Sequence, residues 1–306
     1  MLEKNDINDE YLTYLALNGK STSNPKYTLS IFFNYVNSLG KDYKRFTIRD
    51  AEEFQTFLQT DMKNDINKYS KSTVSSIISC IVTFYNYLKK QNHIHSNPFN
   101  EIQKVKRKKN LPRAIITEEK MAEFLNFLKE FWKEENLHER RKRYKAHVIA
   151  ELMYSTGARI GEIMTLRIAD IDLNRNVIRV TDSKSKKQEE YILNDYCSNV
   201  LKLFIEMRDY ALTDKSDKKL DLLFGSSNNL KTWVNTYMKS IATKLGIEEF
   251  TSHYFRFSVG SHLLRAGCDM RYIQTLLHHE RLSSTMIYTK VNKEDLRKNL
   301  DLFHSR

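Results

Sequence analysis

Only eight glycines and three prolines punctuate 306 residues, against usual shares of roughly 7% and 5%. Sandwiches and barrels need many turn residues, and disordered tails are enriched in them. The chain therefore reads as mainly α-helical. At ~150 residues per domain its length suggests about two domains.

Helical periodicity supports this. Val74, Ile77, Ile78, Ile81, Val82, Tyr85 and Leu88 recur at i, i+3, i+4, i+7, i+8, which makes one apolar stripe on a helix. Ser72 or Thr73 is expected to cap its start, and Asn97-Pro98 to stop any helix running on beyond it. A similar stripe, Leu29, Phe32, Phe33, Val36 and Leu39, runs through residues 27–39. Thr117 reads as an N-cap ahead of Met121, Phe124, Leu125 and Leu128. The charged segment Lys133 to Lys145 extends that helix or forms a loop. A further helix covers 146–154 and ends at Gly157, with another beginning near Arg159. Val177 to Val180 and Tyr191 to Leu193 read as a β-hairpin, after which the pattern is helical again.

Lys and Arg number 50 against 38 Asp and Glu, a formal charge of +12. Such a surplus calls for a polyanion, nucleic acid first and an anionic membrane surface second. Residues 1–110 hold 17 basic against 11 acidic residues, and the rest of the chain 33 against 27. Between these halves, Lys104, Lys106, Arg107, Lys108 and Lys109 form a basic run flanked by Pro98 and Pro112. It reads as an exposed linker and a candidate DNA contact, giving domains at 1–103 and 117–306 joined by 104–116. No apolar run nears the ~20 residues that span a bilayer, and the opening MLEKNDINDE is not a signal peptide. Cys80, Cys197 and Cys268 lack metal-site spacing and read as reduced core residues of a cytoplasmic protein.

Breaking and rejoining a phosphodiester needs cationic donors on the non-bridging oxygens, a nucleophile, and an acid for the departing oxygen. The sequence offers no carboxylate cluster for Mg²⁺ and no GxxxxGK[ST] phosphate loop. It offers instead an arginine–histidine–tyrosine set. Arg159 and Glu162 follow the helix end at Gly157, where the plainer reading is a simple i, i+3 ion pair. His253 and Arg256 share one helical face at the same spacing. His278 and His279 precede Tyr288, and no partner ligands support reading that histidine pair as a metal site.

Order and spacing join these pieces. Gly157-Ala158-Arg159-Ile160-Gly161-Glu162, running on to Arg167 and Asp170-Ile171-Asp172, resembles the first arginine box of the tyrosine recombinases, the phage integrase family. Thr251-Ser252-His253-Tyr254-Phe255-Arg256, through Ser261-His262 to Gly267, resembles the second box. Leu276-Leu277-His278-His279 with Ile287-Tyr288-Thr289 resembles the nucleophile box. The likeness covers 117–306 by motif and is Xer-like, without an arm-binding domain. The N-terminal helices fit the family's SAM-like core-binding domain in length only.

The resemblance implies a mixed α-helical catalytic domain with a small antiparallel β-sheet. It implies that Arg159 and Arg256 clamp the scissile phosphate and that His253 and His279 hydrogen-bond it. Tyr288 would form a 3′-phosphotyrosyl link, and a hairpin lysine would protonate the leaving 5′-oxygen. Lys184 aligns best, with Lys186 and Lys187 close by. Glu162 would orient the site. Phe257, Ser252 and His278 depart from the family's usual histidine, proline and glycine, and the Lys133–Lys145 segment is longer than in compact Xer proteins. No metal or nucleotide cofactor is expected. The expected partner is double-stranded DNA bearing a recombination site, bound by a homo-tetramer on two duplexes or with a paired recombinase. A C-terminal helix with Leu296, Leu300 and Phe303 would dock on a neighbouring subunit, or pack in cis. Mobile-element integration or excision and Xer-type chromosome dimer resolution both fit. Type IB topoisomerase-like relaxation and a catalytically silent DNA-binding regulator stand as alternatives.

Overall fold

The computed structural model describes residues 2–61, 66–67, 69–103, 115–181, 188–212, 217, 221–225, 229–248 and 250–278. The chain divides into two compact units, Met1–Leu111 and Pro112–Arg306.

The first unit is built from helices α1 (Leu2–Leu17), α2 (Ser23–Ser38), α3 (Ile48–Gln59) and α4 (Lys71–Lys90). Strands β1 (Thr60–Asp61) and β2 (Ile66–Asn67) form a short antiparallel ribbon that sequence periodicity did not announce. The α4 stripe is buried as expected except for the half-buried Val82, but its cap is Ser70, whose hydroxyl accepts from the Thr73 N–H at 3.1 Å. Neither Ser72 nor Thr73 takes that place, because the helix begins a residue before Ser72. On α2 the buried stripe ends at Val36, and Leu39 is exposed past the helix end. Asn97 accepts from the Phe99 N–H and donates to the Val82 carbonyl, tying the chain after α4 back onto it. The core is aromatic: Phe32 meets Phe46, Phe54, Tyr85 and Phe99 with ring centroids 5.3–6.0 Å apart, edge to face. Each such buried ring contributes roughly 1.5–3 kcal/mol.

The second unit surrounds one long helix. Thr117 caps α5 (Glu118–Lys129), accepting from the Lys120 N–H, and Met121, Phe124, Leu125 and Leu128 are buried as expected. Helix α6 then runs from Leu137 to Thr156. The charged segment therefore neither extends α5 nor forms a loop: a 3₁₀ turn at Phe131–Lys133 breaks it, and its remainder is the first half of α6. Asn136 makes this possible by accepting from the His138 and Glu139 N–H groups. Arg143 is buried there and donates from Nε to the Phe127 carbonyl at 2.8 Å. From Ala146 to Met153 every residue of α6 is buried, which places the core around its second half.

After the short α7 (Ile160–Met164), strands β3 (Ile171–Asp172), β4 (Val177–Thr181) and β5 (Gln188–Ile192) form an antiparallel sheet in the order β3-β4-β5. Val177 pairs with Ile192 and Thr181 with Gln188. The hairpin is present as expected, but its return strand begins at Gln188, three residues before Tyr191, and ends before Leu193, while the two-residue β3 is too short to show a period. Helices α8 (Asp195–Glu206), α9 (Arg208–Ala211), α10 (Leu230–Lys244), α11 (His253–Arg265) and α12 (Met270–Leu276) complete the unit's described elements. Helix α6 packs against α5, α8 and α11. Of the cysteines only Cys197 is buried. Cys80 and Cys268 are half-buried, so the expectation of core cysteines holds for one of three. Among the described residues no helix is long and apolar enough to cross a membrane.

Candidate active site

The site begins where α6 stops. Gly157 takes φ 66°, the left-handed turn that glycine accepts without steric cost. Two residues later Arg159 is extended, just ahead of α7. Glu162 grips it twice. One carboxylate oxygen accepts from the Arg159 backbone N–H at 2.6 Å and the other from its guanidinium Nη1 at 2.6 Å. Glu162 is buried, whereas the Arg159 side chain is 44% exposed, so the anchor is inside and the cation faces outward.

A third donor reaches the same carboxylate. Tyr191, on the inward face of β5, donates its O–H to Glu162 Oε2 at 3.1 Å. Burial and the nearby Glu162 charge raise the phenol's pKa well above its ordinary value, so Tyr191 remains protonated and a donor.

Helix α11 carries the second pair. His253 opens it and is exposed, and Arg256, one turn on, is buried. Arg256 donates from Nη1 to the Gly157 carbonyl at 2.8 Å and from Nη2 to the Leu277 carbonyl. One guanidinium thus joins the loop before Arg159 to the turn after α12. A guanidinium carries five N–H donors in a plane, and among the described residues these two carbonyls are its acceptors. Planar forks of permanent positive charge match phosphate oxygens bidentately.

Beyond Leu277 lies His278, whose backbone is left-handed at φ 46°. The family's glycine usually stands at this place, and the histidine keeps the conformation a glycine would take. Its ring meets that of Tyr191 edge-on at 4.4 Å, and its Nδ1 lies 3.7 Å from Glu189 Oε2. Phe257 and Ser252, the other departures, are half-buried and buried respectively.

Arg159, Glu162 and Arg256 therefore meet around the Gly157 loop, with His253 at the head of the Arg256 helix. Lys184, with Lys186 and Lys187, lies outside the described residues, as do His279, Tyr288, the C-terminal Leu296, Leu300 and Phe303, and the basic run Lys104, Lys106, Arg107, Lys108 and Lys109. Among the described residues no group of three His, Cys, Asp or Glu could hold a metal ion.

Two connections escaped the sequence reading. One is Tyr191; its signal was a tyrosine on the inward face of a strand, which needs a partner for its hydroxyl. The other is His262, buried on α11. Its Nε2 donates to the Ile116 carbonyl at 2.8 Å, which leaves Nδ1 to accept from the Tyr154 O–H at 2.9 Å. The start of the second unit is thereby pinned to the helix that carries Arg256.

The fold and the site together define the class: a helical domain that brings two arginines to one loop, with a small antiparallel sheet beside them. The model of the phage integrase family matches residues 114–295, and the chain belongs to that family as an enzyme of the tyrosine-recombinase type. Tyrosine recombinase XerC of Bacillus subtilis (strain 168) is 28% identical over 92% of this chain and 98% of its own length. Tyrosine recombinase XerA of Thermococcus kodakarensis is 28% identical over 97% of this chain and 95% of its own. In fold the chain is similar to the XerH site-specific recombinase bound to a palindromic difH substrate, with TM-score 0.71 and 19% identity over 93% and 80% of the two chains. It is also similar to the Tn1549 transposon integrase in complex with transposon right end DNA, with TM-score 0.69 and 19% identity over 98% and 99%.

Proposed function

We propose that this protein cuts and rejoins double-stranded DNA at a specific recombination site through a covalent 3′-phosphotyrosyl bond made by Tyr288. The observation that carries the reading is Arg256, which ties the loop of the first arginine box to the turn that leads, in sequence, to His279 and Tyr288.

The Tyr288 oxygen attacks phosphorus while the bond to the 5′-oxygen breaks. Arg159 and Arg256 hold the non-bridging oxygens as negative charge gathers there. An ordinary tyrosine has a pKa of ~10, so the surrounding positive charge is what makes its oxygen nucleophilic. His253 and His279 hydrogen-bond the phosphate, and one of them accepts the single phenolic proton. Lys184 gives a proton to the departing 5′-oxygen, with Lys186 and Lys187 its alternatives. Attack by a 5′-hydroxyl reverses the steps and frees Tyr288. The bond energy stays in the phosphotyrosine, so no nucleotide is consumed.

In this reading the first unit is a core-binding domain and the basic run 104–109 contacts the DNA backbone. The assembly is a tetramer on two duplexes, with the C-terminal helix docking on a neighbour, and the protein works in the cytoplasm. The XerC and XerA relatives, both tyrosine recombinases, support the recombinase chemistry, and the same chemistry serves integration, excision and dimer resolution.

A nicked duplex that loses its short 5′-hydroxyl fragment traps the covalent species. Wild-type protein should give a DNA–protein adduct, and Tyr288→Phe should bind the duplex and give none. An adduct that survives Tyr288→Phe overturns the nucleophile, and no adduct from wild-type protein on any target overturns the enzyme in favour of a silent DNA-binding regulator. Relaxation of plasmids lacking any target, without synapsis, points to the topoisomerase reading.

A further inference from the structure

Three segments far apart in sequence meet at one aromatic contact. Tyr191 sits on β5, the strand that comes after the 182–187 segment. Its hydroxyl has one proton and two carboxylates in view: Glu162 Oε2 at 3.1 Å and Glu189 Oε2 at 3.5 Å. The first is the shorter by 0.4 Å, so the proton goes chiefly to Glu162. The Tyr191 ring is met edge-on by His278, one residue past the Leu277 carbonyl that Arg256 holds. Contacts link Arg159 to Glu162, Glu162 to Tyr191 and Tyr191 to His278, while Arg256 holds the carbonyls of Leu277, the residue before His278, and of Gly157, two residues before Arg159.

His278 holds its place in this chain against a backbone preference. At φ 46° a residue with a Cβ is disfavoured and glycine is not. The compensation on view is the ring contact with Tyr191 and the approach to Glu189.

We propose that Tyr191 and His278 are positioning residues, a latch that locks the β-hairpin and the turn after α12 onto the Glu162–Arg159 pair. The latch acts on catalysis only through Glu162 and Arg159, and its effect on strand cleavage rests on the function proposed above. It sets the direction of the Arg159 guanidinium through the Glu162 carboxylate.

Tyr191→Phe removes the hydrogen bond and keeps the ring. His278→Gly removes the ring and suits the backbone, so neither should unfold the protein. In single-turnover cleavage of the nicked duplex, Tyr191→Phe should slow adduct formation about tenfold, the loss of one hydrogen bond to a charged group, while DNA affinity is unchanged. His278→Gly should also slow adduct formation, with a thermal midpoint equal to or above wild type. Tyr191→Phe combined with Glu162→Gln should be no slower than Glu162→Gln alone, because both act through one carboxylate. Wild-type cleavage rates in both single variants, or effects that multiply in the combination, overturn the latch. Amide hydrogen exchange over residues 157–163 reads it without any chemistry: exchange should quicken in Tyr191→Phe and His278→Gly. Unchanged exchange overturns the latch even in a protein that cleaves no DNA, whereas quickened exchange with no wild-type adduct overturns only the proposed function.

Discussion

Arg256 Nη1 donates to the carbonyl of Gly157 at 2.8 Å, joining residues 99 apart in sequence. Gly157 meets two demands at once. Its φ of 66° is the left-handed turn that ends α6, and a methyl group built on it would overlap the Leu277 side chain. Gly157→Ala should therefore destabilise the protein by about 1–2 kcal/mol from the backbone alone, and displacing Leu277 should add to that. Thermal unfolding measures the first effect. A drop in adduct yield beyond what unfolding explains would show that Leu277 holds its carbonyl to Arg256.

Arg256→Lys keeps the charge and loses the fork. An ammonium cannot span the Gly157 and Leu277 carbonyls and still present a planar pair of donors to phosphate. One buried carbonyl is left unpaired, at a cost of about 1–3 kcal/mol in stability. Cleavage should fall by roughly 10²–10³, the scale for losing one preorganised donor. Duplex affinity should hardly move, because many other cations supply it. Denaturant melts and single-turnover adduct formation separate the two effects.

What was legible in the sequence was local. The α4 and α5 helices, the Thr117 cap, the helix end at Gly157 and the first strand of the hairpin each depend on residues a few positions apart and stand where the spacing put them, while the return strand begins three residues earlier than expected. Ser70 was missed because Ser70, Ser72 and Thr73 are equally good caps by type, and only the path of the chain chooses between them. The charged half of α6 was unreadable because its polar run has no apolar period; Asn136 and the buried Arg143 hold it helical. At the site, Arg159 and Glu162 were visible as neighbours, and the structure shows their ion pair. Tyr191, the partner that completes Glu162, lies 29 residues away, beyond the reach of any periodicity.

The basic run from Lys104 to Lys109 should act through the DNA backbone rather than through base recognition. Each phosphate contact neutralised by a lysine or arginine steepens the dependence of log affinity on log salt by about one unit. Lys106→Ala and Lys108→Ala together should flatten that slope by about two. They should weaken specific and non-specific duplexes alike, with the adduct rate at saturating DNA unchanged. Titrations at several salt concentrations test this, and a loss confined to the specific site would mean that these lysines read bases.

His147 and Glu151, one turn apart on α6, make opposite contributions to stability against pH. Both are buried, with His147 Nδ1 3.7 Å from Glu151 Oε1. Burial opposes charge on each, pushing His147 down to about 4 and Glu151 up to about 7. Between those values the folded pair is a neutral imidazole beside a protonated carboxyl. The unfolded chain, with ordinary pKa values near 6.5 and 4.5, holds its one proton on the histidine instead. Folded and unfolded states then bind equal numbers of protons, so the pair should leave stability flat near the middle of that window. Removing one partner should expose the other. In Glu151→Gln only His147 remains, its folded pKa below its unfolded one, so stability should fall as pH drops from about 6.5 towards 4. In His147→Gln only Glu151 remains, its folded pKa above its unfolded one, so stability should fall as pH rises from about 4.5 through 7. Denaturant melts across pH 4 to 8 should show slopes of opposite sign in the two variants, and slopes of the same sign would mean that burial does not govern the charge of one of the two groups.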